Sequence, residues 1–511
     1  MEKGFGGVFM KKLLFLLVLI LCLIPKLIVV TKHPIATGWD APYYMKTMKK
    51  FDLSKYDGEP LFFLLAVPLN KLLTETFFGI MPYGRLTFSP RAEAIVLILS
   101  SFKVIKLMKI GSFLLLIIST YLLISKFYGW KTALLITLLT GYLPHVTRIW
   151  DDTLRNFLAL SLFPLFLLTF LERKTLLSAV FLGLIGLSHR LVFFYAVAGI
   201  LLFLLVKLFR KEEIKESLIR CGSIILIGFI LSFPYFYKGY FVKKGKIARE
   251  SSLIFKWDVS PLTEFIKPGW ESIWLIPVFA SLYFVFPPRK DEDIFIFSLA
   301  SFSLFLALGL LGTPHLIYSR FIYSSGYFLL LALSPLFSHI FNNFSPLNAS
   351  ILIFFFLCLL PQVFQGYKYM MTMHPFITNE EMMAIWNNYG NLTANQTAVL
   401  VPSRLHYWME GLLDRELNKT LFVAEWYSLT GDYPPTNESL VFNGKLEESL
   451  TALKNLFKGR NLKRVFLVWT DGWDPIKRDR IMEKIRAGLL RCYKIGGTNF
   501  CRVDLDVIKN G

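Results

Sequence analysis

Residues 11–44 read KKLLFLLVLILCLIPKLIVVTKHPIATGWDAPYY. Two lysines lead into an unbroken apolar run from Leu13 to Ile24. With its flank to Val30, the run approaches the roughly 20 residues needed to cross a bilayer. No small-residue cleavage site follows it. Pro25 and Lys26 do, so the run reads as an uncleaved first span rather than a signal peptide. Directly beyond it lies the polar and aromatic stretch Thr37-Gly38-Trp39-Asp40-Ala41-Pro42-Tyr43-Tyr44. The passage therefore sets a carboxylate beside the end of a membrane span.

Outward from this passage the same apolar pattern returns. Long runs occupy Phe113 to Ile124, Phe157 to Leu171, Leu191 to Val206 and Ile351 to Leu360. Of the 511 residues, 54% are hydrophobic and 49 are Phe. Soluble domains hold their apolar residues in short periodic patterns instead. The spans expected from hydropathy are 12–30, 108–125, 132–147, 156–171, 175–188, 191–206, 221–237, 273–287, 294–312, 321–338 and 349–366, about 11 in all. The fold class is therefore a polytopic α-helical membrane protein, with a transmembrane domain over 1–366 and a small soluble α/β or α+β domain over 367–511.

Lys3, Lys11 and Lys12 put the N-terminus in the cytoplasm. On that choice the N-terminus and the short inner connections together hold about 14 Lys or Arg and the short outer turns about four, in keeping with the positive-inside rule. An odd number of spans then carries the C-terminal domain outside, in a multi-pass protein of the cell membrane. Two outer loops are long, 31–106 and 234–271. The first holds two semi-apolar stretches, Leu61 to Leu73 and Ala92 to Met108, that read as interfacial helices, the second able to extend into a span. The formal net charge of +20 invites a nucleic-acid reading, but no such motif is present. Basic residues at membrane edges fit anionic headgroups and phosphate-bearing lipids better.

In the C-terminal domain, Val399 to Val401 and Arg464 to Trp469 read as strands, and Glu447 to Lys458 and Pro475 to Leu490 as helices. Sequons at Asn391, Asn395, Asn418 and Asn437 favour an outer location. Gly496-Gly497 marks a two-residue hairpin turn. Counting outward pairs Ile495 with Thr498 and then Cys492 with Cys501, the latter at a non-hydrogen-bonded position where side chains approach closest. A disulfide there would imply an oxidising compartment. Cys22, Cys221 and Cys358 read as buried small hydrophobes.

The chain has no HExxH, CxxC, Walker A or GxGxxG pattern, which argues against zinc hydrolysis, direct nucleotide use and dinucleotide chemistry. Asp40 can serve as general base toward a hydroxyl or as a metal ligand. It can also simply form an Asx turn before Pro42. The second polar motif, Arg148-Ile149-Trp150-Asp151-Asp152-Thr153-Leu154-Arg155, abuts an apolar helix, where two acids are costly unless paired or functional. Either acid could instead cap the following helix. His189, Arg190, His315 and Arg320 also fall at outer span ends, and each taken singly suits an interfacial side chain. With Asp40, Asp151 and Asp152 they gather on one side of the membrane, as a site at the water boundary would require.

This layout resembles the GT-C superfamily of integral membrane glycosyltransferases. Asp40 within Gly38-Trp39-Asp40-Ala41-Pro42-Tyr43-Tyr44 matches the superfamily's first-loop acidic position, and Arg148 to Asp152 its second acidic motif. The resemblance implies a polyprenyl-phosphate sugar donor in the lipid bilayer, a glycan, lipid or protein acceptor, and inverting transfer with Asp40 as base. It implies Arg320, Arg190, Lys243 and Lys244 as phosphate ligands, Asp151 and Asp152 as acceptor-orienting residues, and Tyr43, Tyr44, His189 and His315 in support. No cofactor is required for monosaccharide transfer. Asp40-Ala41-Pro42-Tyr43-Tyr44 is also similar to the first-loop signature of the oligosaccharyltransferase catalytic subunit, and that alternative implies Mg²⁺ or Mn²⁺ at Asp40, Asp151 and Asp152. The WWDYG motif of those enzymes has no match: Tyr407-Trp408-Met409-Glu410-Gly411 and Val468-Trp469-Thr470-Asp471-Gly472-Trp473 both depart from it. A lipid-glycan flippase or transporter is a third reading. Such proteins carry ionisable groups near the bilayer midplane and repeated halves, which this sequence does not display.

Overall fold

The computed structural model describes residues 2–80, 90–241, 290–309 and 315–510, except 39, 50, 54–55, 57, 344, 374, 376, 414–420, 432–433 and 473–474. Fourteen helices precede the C-terminal domain within the described residues: α1 (Glu2–Lys32), α2 (Ala41–Lys49), α3 (Leu61–Ile80), α4 (Pro90–Tyr128), α5 (Trp130–Tyr142), α6 (Pro144–Asp152), α7 (Leu154–Leu171), α8 (Thr175–Ser188), α9 (Arg190–Arg210), α10 (Ile214–Phe241), α11 (Asp291–Gly309), α12 (His315–Ala332), α13 (Ser334–Asn342) and α14 (Pro346–Met371). The C-terminal domain adds α15 (Asn379–Asn387), α16 (Tyr389–Leu392), β1 (Thr397–Pro402), α17 (Ser403–Leu413), β2 (Leu421–Ala424), α18 (Trp426–Thr430), α19 (Asn437–Asn443), α20 (Leu446–Phe457), β3 (Arg464–Thr470), α21 (Arg478–Arg486), β4 (Leu490–Ile495), β5 (Thr498–Val503) and α22 (Leu505–Asn510).

Six described stretches are long and apolar enough to cross a membrane: Val8–Lys32, Ile98–Tyr128, Leu154–Leu171, Arg190–Arg210, Ile214–Tyr235 and Ser324–Asn342. The chain is a multi-pass helical membrane protein. Helices also occupy the other expected spans except 273–287, which lies outside the described residues; a count of about 11 is not established. The expected span 132–147 is the clearest difference. It breaks at Leu143, an extended residue (φ −59, ψ 123) between α5 and α6. Pro144 is the cause, because a proline disfavours helical geometry in the residue before it and starts a new helix readily. The stretch Ala92 to Met108 does extend into a span: with Pro90 at its first position, α4 runs 39 residues, ~58 Å at 1.5 Å per residue.

The chain divides into two compact units. The first comprises Met1–Lys32, Phe51–Pro68 and Lys106–Met373. Its central helix is α7, apolar all round and 78% buried, as a helix without a polar face must be. Around it Phe166, Phe170, Phe203 and Phe295 pack with ring centroids 4.8–6.4 Å apart. In contrast, α1 and α10 bury only 28% of their apolar windows, leaving side chains such as Leu16, Leu17, Leu226 and Ile230 open for lipid.

The second unit comprises His33–Lys50, Leu69–Ile105 and His374–Gly511. It thus takes two pieces of the long first loop along with the C-terminal domain. Its sheet has the order β2-β1-β3-β5-β4, parallel over the first three strands and antiparallel over the rest. The central strands β1 and β3 are near-continuous apolar runs because helices cover both faces of the parallel part. The helix expected over 475–490 is shorter, Arg478–Arg486, because Gly488 (φ +75) ends it and β4 follows at once. In the β4–β5 hairpin Ile495 pairs with Thr498 and Cys492 with Cys501, and the two cysteine sulfurs are bonded.

Candidate active site

Asp40 stands immediately before α2. Gly38 reaches φ +96, a left-handed value that side-chain-bearing residues avoid, and so turns the chain from the end of α1 into the new helix. The Asp40 carbonyl accepts the first helical bond from Tyr44 N–H at 2.9 Å. Pro42 sits in the first turn, where a missing N–H costs nothing. The half-buried Asp40 carboxylate accepts a hydrogen bond from the Tyr44 hydroxyl at 3.2 Å. Among the described residues it has no cation as partner. Tyr44 itself is buried, while Tyr43 meets Tyr407 of α17 edge-on at 5.6 Å. Lys46 Nζ lies 5.5 Å from the Tyr407 ring centroid, a cation–π contact. Trp39 lies outside the described residues.

The second acidic motif is built differently. Asp151, on the last turn of α6, is buried and receives Lys109 Nζ of α4 at 2.6 Å. The same ammonium donates to the Asp151 carbonyl at 3.0 Å, and Trp150 Nε1 donates back to the Lys109 carbonyl at 3.0 Å. Lys26 of α1 donates to Thr147 Oγ1 at 2.9 Å and lies 4.5 Å from the Trp150 ring, with Lys109 at 5.1 Å. Asp151 is therefore committed to a buried ion pair that fastens α6 to α4. A divalent cation held by Asp40, Asp151 and Asp152 would have to displace Lys109. Among the described residues no three His, Cys, Asp or Glu side chains cluster as metal ligands. The side chain of Asp152 lies outside the described residues.

A third grouping combines expected and unexpected residues. Arg190 begins α9, and His189 is the extended residue before it. Both belong with Glu59, which precedes α3. Glu59 receives Arg155 Nη1 at 3.2 Å and Arg190 Nε at 3.7 Å. Arg155 also donates to the Tyr56 hydroxyl at 3.2 Å, and Ser188 Oγ donates to the Arg155 carbonyl at 2.9 Å. Burial pushes the Glu59 carboxyl upward, but the nearby His189, Arg155 and Arg190 hold it below the usual carboxylate range. Sequence reading passed over Glu59, whose one signal was an acid directly before Pro60 and an apolar helix. It also passed over Lys26 and Lys109, whose signal was an ionisable group inside an apolar run.

Arg320 and His315 lie on α12, with side chains outside the described residues, as are Lys243 and Lys244 entirely. Asp471, after β3, is engaged by Lys494, by Asn499 Nδ2 at 2.8 Å and by Arg478 at 3.7 Å. It clamps the hairpin. Tyr407 to Gly411 fall on α17.

No protein-family profile matches the sequence, and no curated protein matches it either. Solved structures do. The apo oligosaccharyltransferase of Archaeoglobus fulgidus superposes with a TM-score of 0.54 at 13% identity, over 89% of this chain and 69% of that one. The same archaeal enzyme, AglB, in complex with an inhibitory peptide and a dolichol-phosphate, gives 0.53 at 13% identity over the same shares. ArnT of Cupriavidus metallidurans bound to undecaprenyl phosphate gives 0.50 at 11% identity over 98% of each chain. The chain has the GT-C glycosyltransferase fold. Identities this low carry the fold alone.

Proposed function

We propose that the chain is a glycosyltransferase that moves a sugar from a polyprenyl phosphate-linked donor to a nucleophilic acceptor at the outer membrane surface. One observation carries this reading. Among the acids singled out, Asp40 is a half-buried carboxylate steered by Tyr44 with no cation among the described residues to neutralise it, whereas Asp151 is spent on Lys109. An unneutralised carboxylate within reach of water is equipped to accept a proton. Two solved relatives in fold hold lipid phosphates, dolichol-phosphate in one and undecaprenyl phosphate in the other, which favours the same class of donor here.

In the proposed step the acceptor hydroxyl gives its proton to Asp40 as its oxygen bonds to the anomeric carbon. The carbon–oxygen bond to the phosphate breaks on the opposite face, and the electron pair leaves on the phosphate oxygen. The anomeric centre inverts. The leaving group needs charge stabilisation rather than a proton, and arginine forks or lysines supply it. Arg190 and Arg320 are the proposed donors, with Lys243 and Lys244 as the next candidates. Asp151 is proposed to hold α6 in place rather than to bind acceptor or metal. The lysine-rich N-terminus and the bonded cysteines of the C-terminal domain support a cytoplasmic N-terminus and an extracytoplasmic C-terminal domain.

Reconstitution with labelled polyprenyl-phosphate sugars tests the reading. Asp40→Asn is expected to lose roughly 10²–10⁴-fold in rate, the usual worth of a general base. Transfer by the variant at the wild-type rate would remove Asp40 from the chemistry. The first-loop Asp-Ala-Pro-Tyr-Tyr stretch and the superposition on the archaeal enzyme favour an oligosaccharyltransferase as second reading. Transfer only to sequon peptides, abolished by EDTA, would select it.

A further inference from the structure

Glu59, Arg155 and Arg190 meet where two helices begin. Arg155 lies in the first turn of α7 and Arg190 is the first residue of α9. Neither helix start has an N-cap side-chain hydrogen bond, and each presents the positive end of a helix dipole. One Glu59 oxygen holds Arg155 and the other lies nearest Arg190. Arg190 keeps 59% of its side chain exposed, and among the described residues its ion-pair contact is through Nε alone. Its two terminal nitrogens are thus available to a further anion.

The charge count of this grouping is informative. Two guanidiniums contribute two fixed positive charges, Glu59 cancels one, and His189 beside Glu59 adds an imidazole whose charge is not fixed. A site meant for a dianion gains nothing from a carboxylate in its wall. A site meant for a monoanion does, because the balance is then complete. We infer that Glu59 sets this grouping to take a lipid-linked sugar phosphodiester, which carries one negative charge, and to reject a lipid-linked sugar diphosphate, which carries two. The inference rests on the reading of Arg190 as a ligand of the donor phosphate. Glu59 then acts as a specificity-determining residue. It repels the second phosphate of the wrong donor and, through two contacts, aims both arginines at the single phosphate of the right one.

The test is direct binding of geranyl phosphate-hexose and geranyl diphosphate-hexose to the full chain in lipid nanodiscs, independent of transfer. The wild type is expected to prefer the phosphodiester by about tenfold, equivalent to ~1.4 kcal/mol. Glu59→Gln should shift that ratio by a similar factor toward the diphosphate, and Glu59→Asp, which keeps the charge, should retain the preference. Arg190→Gln should weaken both ligands. Equal weakening of both ligands by Glu59→Gln would overturn the inference, since a merely structural Glu59 behaves that way. So would unchanged binding in Arg190→Gln, or failure of the phosphodiester to bind the wild type. Selective binding without sugar transfer under any condition would instead sink the transferase reading and leave the charge matching intact.

Discussion

Replacing Asp151 with leucine is expected to unfold α6 from α4 before it touches catalysis. At 2.6 Å, the Lys109–Asp151 attraction is roughly 6 kcal/mol in an effective dielectric of about 20. Desolvation of both groups offsets much of that, and breaking such a pair from one side costs about 3–5 kcal/mol because the survivor is left buried and uncompensated. The survivors differ. Asp151→Leu strands Lys109 beside a second buried ammonium, Lys26, on the same Trp150 ring. Lys109→Met leaves Asp151 with Lys26 still nearby. The aspartate change should therefore be the worse of the two, and the double variant should recover most of the loss. Thermal unfolding of the nanodisc-embedded chain, followed by tryptophan fluorescence, reads this out. At roughly 1–2 °C per kcal/mol for a unit of this size, Asp151→Leu should lower the midpoint by about 3–10 °C, Lys109→Met by less, and the double variant by little. Wild-type stability in Asp151→Leu together with lost sugar transfer would refute the reasoning and return Asp151 to the active site.

Two further outcomes are expected. Tyr44→Phe removes the Tyr44 hydrogen bond to the Asp40 carboxylate; about 1 kcal/mol of orientation is at stake, so kcat should fall roughly fivefold with KM little changed, and a variant raising KM alone would place Tyr44 in binding. In the C-terminal domain, the buried Lys484 donates to the Val441 and Phe442 carbonyls at 2.8 Å each, and burial lowers its ammonium to about 8 from 10.5. The folded state loses this proton first, so between these values the unfolded chain binds more protons and stability rises with pH. Measured against Lys484→Met, the wild type should gain up to about 3 kcal/mol in relative stability from pH 8 toward pH 10.5. A relative stability that is flat or falling across that window would contradict it.

What could be read ahead of the structure was local. The turn at Gly496-Gly497 fixes its own register, so the pairing of Cys492 with Cys501 followed by counting. Apolar runs declare spans in the same way, since bilayer thickness is a length requirement on consecutive residues. The misjudged boundaries were local as well: Pro144 and Gly488 each stop an element that the apolar pattern alone would carry further. The site was legible in part. Asp40 could be singled out because it follows the first span directly. Glu59 could not be tied to Arg155 and Arg190, since those pairings join residues 96 and 131 positions apart and only the fold brings them together. Asp151 was visible as an acid, but its partner Lys109 was hidden inside an apolar helix 42 residues earlier.

The contact of Lys26 with Thr147 and Trp150 has a consequence for how the protein is made. Lys26 and Thr147 are 121 residues apart. At ~5–20 residues per second of synthesis, the first helix resides in the membrane for roughly 6–24 s before those partners exist. During that interval Lys26, near the end of its helix, must reach toward the interfacial water. Its enclosure in the finished protein therefore belongs to a late docking event, after α6 has emerged, and a ribosome stalled before residue 147 should hold a nascent chain whose Lys26 still reacts with amine-directed reagents.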